Sequence, residues 1–167
     1  IKLIALAIDQ TLVCGKDVIS ERNLQAIRTA QEKGVHVTLA TGRGFLSSKK
    51  IWEQMDLKGP SIHYGGAMIV NSPDGKPIIV HALDEQLVHE VLEYCHELGI
   101  HVQIFDGDTV VAEKDCEFFT FYHNRTNLPF RIDPELRSRV LTGVPKILAY
   151  SKEDDHYCAL IGERFKG

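Results

Sequence analysis

Ile1-Lys2-Leu3-Ile4-Ala5-Leu6-Ala7-Ile8, running straight into Asp9-Gln10-Thr11, is the stretch that decides the fold. It is apolar except for Lys2 and has the length of one strand. Continuous rather than alternating hydrophobicity predicts a strand covered on both faces, as in a parallel sheet between helices. Polarity switches abruptly at Asp9. In such a sheet the carboxyl ends of the strands are where ligands gather, so this switch marks the first place to look for chemistry.

Working outward, Ser20 is set as an N-cap before Leu24, Ile27 and Ala30 at helical spacing, and Gly34 closes that helix. Val35 to Ala40 reads as a second strand, ending in Thr41-Gly42-Arg43. A helix follows over 45–55, stopped by Gly59-Pro60, and 61–64 is a short third strand. Strand, helix, strand, helix, strand predicts a doubly wound α/β sheet with at least three parallel strands. Beyond Gly65-Gly66 the pattern changes. Two short apolar runs flank Ser72-Pro73-Asp74-Gly75-Lys76, which predicts a hairpin. A helix from Asp84 to about Leu98 precedes a second hairpin around Asp106-Gly107-Asp108. Helices are expected over 115–122 and 134–141, a strand over 146–150 and a last helix over 153–165. The second half is therefore an α+β module, and the expected domains are 1–81 and 82–167.

Composition narrows the class. The 167 residues are 44% hydrophobic and 25% charged, which excludes disorder as the main state. Nineteen basic against 23 acidic residues give a net charge of -4, which argues against a nucleic-acid partner held by a general basic field. No apolar run approaches the roughly 20 residues that span a bilayer, and the opening residues do not form a secretory signal, so no membrane partner is expected. Cys14, Cys95, Cys116 and Cys158 are widely spaced and read as thiols of a reducing, cytoplasmic compartment.

At the strand ends, Thr41 offers a hydroxyl, Gly42 a close-approaching amide and Arg43 a guanidinium, beside the positive N-terminus of the next helix. Together they form a phosphate cradle. Composition alone favours the blander alternative, a strand-to-helix turn with a solvated Arg43. The order of the elements changes that balance. The opening strand with Asp9-Gln10-Thr11-Leu12, then Ile19-Ser20-Glu21-Arg22-Asn23, then Leu39-Ala40-Thr41-Gly42-Arg43, then Gly65-Gly66-Ala67-Met68-Ile69 resembles the haloacid dehalogenase (HAD) superfamily. Within it the Cof-type sugar-phosphatase branch is most similar. The resemblance covers residues 1–81, and the module beyond Ala82 resembles that branch's inserted α/β cap.

What the resemblance implies is a Rossmannoid parallel sheet, here incomplete, carrying an α+β cap, and a Mg²⁺-dependent phosphohydrolase acting on a small phosphorylated metabolite. One Asp of the first motif attacks phosphorus and a second serves as acid/base. Asp9 stands at the acid/base position, with its backbone carbonyl toward the metal. Thr11 matches the motif Thr, and Thr41, with Gly42, Arg43 and Gly66, falls at the phosphate-binding positions. The nucleophile position is Ala7, whose methyl can neither attack phosphorus nor ligate magnesium. Gln10 replaces the motif glycine, and Gly65 the usual Asn. The family's later Lys and its late acidic motif have no counterpart. The chain as given is therefore expected to be inactive, with magnesium binding in doubt. The alternative is a non-catalytic binding or assembly protein that keeps the fold.

Other clusters carry less. Lys146 and Lys152 fall in cap-like segments, and Asp154-Asp155 suits a helix start. His89 and His96 lack a carboxylate completing a metal site and read as a solvated face. Asp106-Gly107-Asp108 lacks the distal Glu of a calcium loop and reads as a turn. Phe118, Phe119, Phe121 and Tyr122 read as packed cap core rather than a substrate-facing surface. Because the family places its first strand centrally, residues 3–8 are expected to leave an apolar sheet edge. Three arrangements relieve it: a longer polypeptide, a homo-oligomer through that edge, or strands from another chain. A longer polypeptide does not explain Ala7 and Gln10, which point to a natural non-catalytic relative or to deliberate inactivation.

Overall fold

Leu3–Leu6 (β1) and His36–Leu39 (β2) lie side by side in parallel register, Leu3 opposite His36 and Leu6 opposite Leu39. The computed structural model describes residues 1–72 and 74–166, with the backbone alone at 154 and 155. It divides into two compact units, Ile1–Ala82 and Leu83–Gly167. In the first unit, Glu21–Glu32 (α1) connects β1 to β2, capped by the Ser20 hydroxyl accepting the Asn23 N–H at 3.2 Å. Phe45–Gln54 (α2) follows β2. Its buried Ile51 and Trp52 join Ile8, Leu12, Ile27, Val37 and Leu39 in one core. Such burial of large aliphatic and aromatic side chains contributes about 1.5–3 kcal/mol each.

Two expectations are corrected here. The opening strand is not covered on both faces: Ile4 and Leu6 pack on the core, while Leu3 is 60% exposed and Ala5 also faces solvent. Among the described residues, β1 has a strand on one edge only. The third strand, Gly59–His63 (β3), is not a full parallel neighbour of β2. It meets β2 through one parallel bridge, Ala40 to Ile62, supported by the Thr41 N–H donating to the Ile62 carbonyl at 3.0 Å. Its ladder runs antiparallel with Met68–Ser72 (β4), which pairs in turn with Lys76–Val80 (β5). The reversal is made at Tyr64–Gly66, where Gly65 and Gly66 take φ of 67° and 109°. Those angles admit glycine at little cost and turn the chain straight back along β3. Of the expected hairpin turn, Pro73 lies outside the described residues.

The second unit is built on a four-stranded sheet, in the order 130–132, 109–112, 101–106 and 147–150. Glu85–Glu97 (α3) begins at Asp84, whose carboxylate accepts the Gln86 and Leu87 amides. His101–Asp106 (β6) and Thr109–Ala112 (β7) form the expected hairpin. Glu117–Thr126 (α4) follows, and then Phe130–Ile132 (β8), which pairs parallel to β7 and was not expected. Ile147–Tyr150 (β9) pairs with β6, and Asp154–Arg164 (α5) closes the unit. The helix expected over 134–141 is only a 3₁₀ turn at Leu136–Ser138. Asp133 caps that turn, its carbonyl and carboxylate accepting the Leu136 and Glu135 amides, but no helix continues from it: Arg139 is extended and the Leu141 amide donates to the Glu85 carboxylate. α3 packs Val88 and Leu92 against Ile104 and Val111 on one face of the sheet. On the other face α4 sets Phe118 against Tyr150 in a parallel stack, centroids 3.9 Å apart, and buries Phe119. Phe121 does not join that core and is 56% exposed.

Candidate phosphoryl site at the strand tips

The chain leaves β1 at Ala7 and turns at once. The Ile8 carbonyl accepts three amides, from Thr11, Leu12 and Val13, so the 8–13 segment folds into a tight knot at the strand tip. Gln10 stands in the left-handed region, φ 59°, where a glycine carries no Cβ penalty. Ile8, Leu12 and Val13 anchor the knot in the core, and Asp9, Gln10 and Thr11 stay exposed. From β2, Thr41 arrives 7% exposed, and its hydroxyl oxygen accepts the Arg43 amide at 3.1 Å. The end of β3 holds this turn from the other side: Tyr64 donates to the Arg43 carbonyl at 3.1 Å and Gly65 to that of Thr41 at 3.0 Å.

Arg43 joins the two strand tips. Its Nε donates to Asp9 Oδ2 at 3.0 Å and its Nη2 to Asp9 Oδ1 at 2.6 Å, a two-pronged carboxylate contact. Its Nη1 donates to Asp17 at 2.9 Å and to the Ser47 carbonyl at 3.3 Å. Hydrogen bonding to Asp9 is the first reason its pKa lies above the ordinary arginine value. Burial opposes that rise, and Asp17 reinforces it. Asp17 is steadied by Gln54 of α2, which donates to the Asp17 carbonyl and accepts the Ile19 amide. Asp9, Thr41 and Arg43 are thus brought together. Thr11 is placed beside Asp9 by the backbone knot, and Gly42 is exposed on the turn. Gly66 lies in the β3–β4 reversal, one residue past the amide that holds Thr41. Asp17 and Gln54 had no signal in the sequence. Asp17 sits in an irregular stretch without periodicity, and its role arises only when α2 packs across it.

One guanidinium facing two carboxylates leaves the cluster with a net negative charge. An incoming phosphate has to displace a carboxylate from Arg43 to be bound there. The donor set does not fit magnesium. Mg²⁺ requires a near-octahedral shell of hard oxygens, yet position 7 offers a methyl and both Asp9 carboxylate oxygens are taken by Arg43. Among the described residues no group of three or more His, Cys, Asp or Glu side chains converges on one point.

The family model for haloacid dehalogenase-like hydrolases matches residues 4–165, and the chain belongs to that family. The 5-amino-6-(5-phospho-D-ribitylamino)uracil phosphatase YitU of Bacillus subtilis is 27% identical over 164 residues, spanning 92% of this chain and 57% of YitU. A haloacid dehalogenase-like hydrolase from Bacteroides thetaiotaomicron superposes with a TM-score of 0.83 at 22% identity, covering 99% of this chain and 65% of that one. A sugar phosphatase of HAD subclass IIB superposes with a TM-score of 0.76 at 18% identity, covering 96% and 63%. The chain therefore spans less than two thirds of the length of these relatives, and it shares the α/β HAD-like fold of the two structures. No helix among the described residues is long and apolar enough to cross a membrane.

Proposed function

We propose that residues 1–81 are the first part of a Cof-type HAD core, residues 82–167 its cap, and the tips of β1 and β2 its phosphoryl pocket, disarmed at the nucleophile. The protein then binds a small phosphorylated metabolite and hydrolyses it slowly or not at all. The observation that carries this reading is that Arg43 holds Thr41 by its backbone amide and Asp9 by its guanidinium, with Ala7 two residues before Asp9 at the end of β1. Thr41 and the α2 N-terminus supply donors to phosphoryl oxygens, and Arg43 a paired charge. Asp9 occupies the acid/base position. A carboxylate at position 7 would supply the attacking oxygen of the covalent route, and alanine removes it. Relatives named for a phosphoribitylaminouracil support a small phosphorylated metabolite as the ligand class. The test is Mg²⁺-dependent hydrolysis of p-nitrophenyl phosphate. The chain is expected to turn over far below about 1 s⁻¹, the lower end of ordinary enzymes. Turnover at or above that rate overturns the assignment.

A second reading, a binding or assembly protein, draws on the half-covered β1 and on β5, where Ile78, Ile79 and Val80 are all more than 40% exposed. Unpaired apolar edges recruit further strands. Light scattering after size exclusion separates the two readings. A stable monomer at high concentration counts against edge-mediated assembly.

A further inference from the structure

We propose that His63 is a positioning residue that sets the geometry of the 41–44 turn. The inference rests on the reading of that turn as one wall of the phosphoryl pocket. His63 ends β3, is fully buried, and looks into a polar nest beneath the turn. Its Nε2 lies 2.8 Å from the Ser61 hydroxyl, itself 3.1 Å from the Ser72 hydroxyl on β4. Its Nδ1 lies 3.5 Å from the Ser48 hydroxyl in the first turn of α2. The backbone of Arg43 and Gly44 also faces the ring and favours its charged form, and the Phe45 ring meets it edge-on at 5.6 Å.

One proton on Nδ1 satisfies both ring nitrogens and the three serine hydroxyls. Ser48 already donates to the Phe45 carbonyl at 2.8 Å, so its oxygen is available to accept from the ring. Nε2 then accepts from Ser61, whose oxygen accepts from Ser72. A buried imidazole costs free energy unless its polar atoms are satisfied. On this side of the ring, Ser48 and Phe45 belong to the helix that follows the turn, and the Arg43–Gly44 backbone is the turn itself. The groups facing the ring are Ser48 and Phe45 from α2, Ser72 from β4, Ser61 from its own strand, and the Arg43–Gly44 backbone. None of these side chains is charged, and the Arg43 guanidinium is directed to Asp9 and Asp17. A second proton on the ring abolishes acceptance from Ser61 and has no carboxylate to balance it. Burial outweighs the opposing pull of the Arg43 and Gly44 backbone and holds the His63 pKa below its ordinary value. The ring is therefore a clasp that stays closed while neutral.

The test is a ¹H–¹⁵N titration of the full chain from about pH 8 to pH 5, without added anion, in the wild type, His63→Gln and His63→Phe. The amides of Arg43, Gly44 and Phe45 are expected to shift with one midpoint below 6.5, shared with the His63 ring protons. His63→Gln keeps a donor and an acceptor, removes that inflection and leaves the turn near its high-pH position. His63→Phe displaces the turn resonances at every pH. Turn amides that coincide in wild type and His63→Phe overturn the proposal, whether or not the ring titrates in this range. A second arm adds inorganic phosphate. His63→Phe is expected to weaken its binding about tenfold, the scale of a lost buried hydrogen bond, and His63→Gln much less. If the turn follows His63 but phosphate does not bind the wild type, the pocket reading fails and the positioning role stands. If phosphate binds wild type and His63→Phe alike, the pocket stands and the positioning role fails.

Discussion

Arg43 grips Asp9 by both carboxylate oxygens, and with its remaining nitrogen it reaches Asp17. This contact ties the knot after β1 to the turn after β2, so it is a structural strut at the strand tips. The Arg43 side chain is 23% exposed, while those of Asp9 and Asp17 are 58% and 36% exposed. Solvent therefore screens the carboxylate ends.

Arg43→Ala is expected to lower unfolding free energy by about 1–2 kcal/mol in urea titration. That is less than two full charge-assisted bonds would give, because of the screening. Arg43→Lys recovers only a small part, since an ammonium cannot present the two-pronged fork. If Arg43→Ala leaves the urea midpoint unchanged, the strut has no energetic role.

Gln10 holds a conformation that favours glycine. Gln10→Gly is expected to stabilise the chain by roughly 0.5–1 kcal/mol, relief of the left-handed strain exceeding the added backbone freedom of the unfolded state. Thermal denaturation reads this as a rise in Tm. A fall in Tm shows that the Gln10 side chain contributes packing that outweighs its strain.

Gly75, at the tip of the β4–β5 hairpin, lies against the Phe45 ring. A Cβ built there comes within 2.7 Å of two ring carbons, and φ is +69°. Phe45 in turn stacks on Trp52 and touches His63. Gly75→Ala is therefore expected to cost about 1–3 kcal/mol through overpacking and strain. Near-ultraviolet circular dichroism should register the disturbance at Trp52. An unchanged spectrum and Tm contradict the close approach.

The pH dependence of stability has a worked sign. Burial lowers the His63 pKa in the folded chain, so folding favours the neutral ring. Its contribution is complete above the unfolded value near 6.5 and is lost as pH falls below it. The wild type is expected to lose more Tm between pH 7.5 and 5.5 than His63→Gln. His101, also held down chiefly by burial, contributes in the same sense to both proteins and cancels in the comparison. Equal slopes for the two proteins contradict the assignment.

The strand tips were legible because polarity changes there abruptly: Asp9 after an apolar run, Thr41 after another. Local pattern could not supply what sets their geometry. Asp17 and His63 enter the site only through the packing of α2 and β3, and no spacing rule links position 63 to position 44. Phe130-Arg131-Ile132 is too short for its alternation to register, so β8 was missed. Asp133 and Pro134 do start a turn, but the backbone becomes extended at Arg139 and the Leu141 amide goes to Glu85, a partner far along the chain that local spacing does not reveal. The cover expected over both faces of β1 was inferred from hydrophobicity alone, which records a capacity for burial rather than the presence of a partner.

The most direct measurement of the central claim is titration of the ¹⁵N-labelled chain with p-nitrophenyl phosphate and Mg²⁺, following amide shifts and release of nitrophenol in one sample. The account predicts saturable shifts at residues 9–11 and 41–43, with the ester left intact over hours. Shifts confined to other residues, or release at about 1 s⁻¹ or faster, would contradict it.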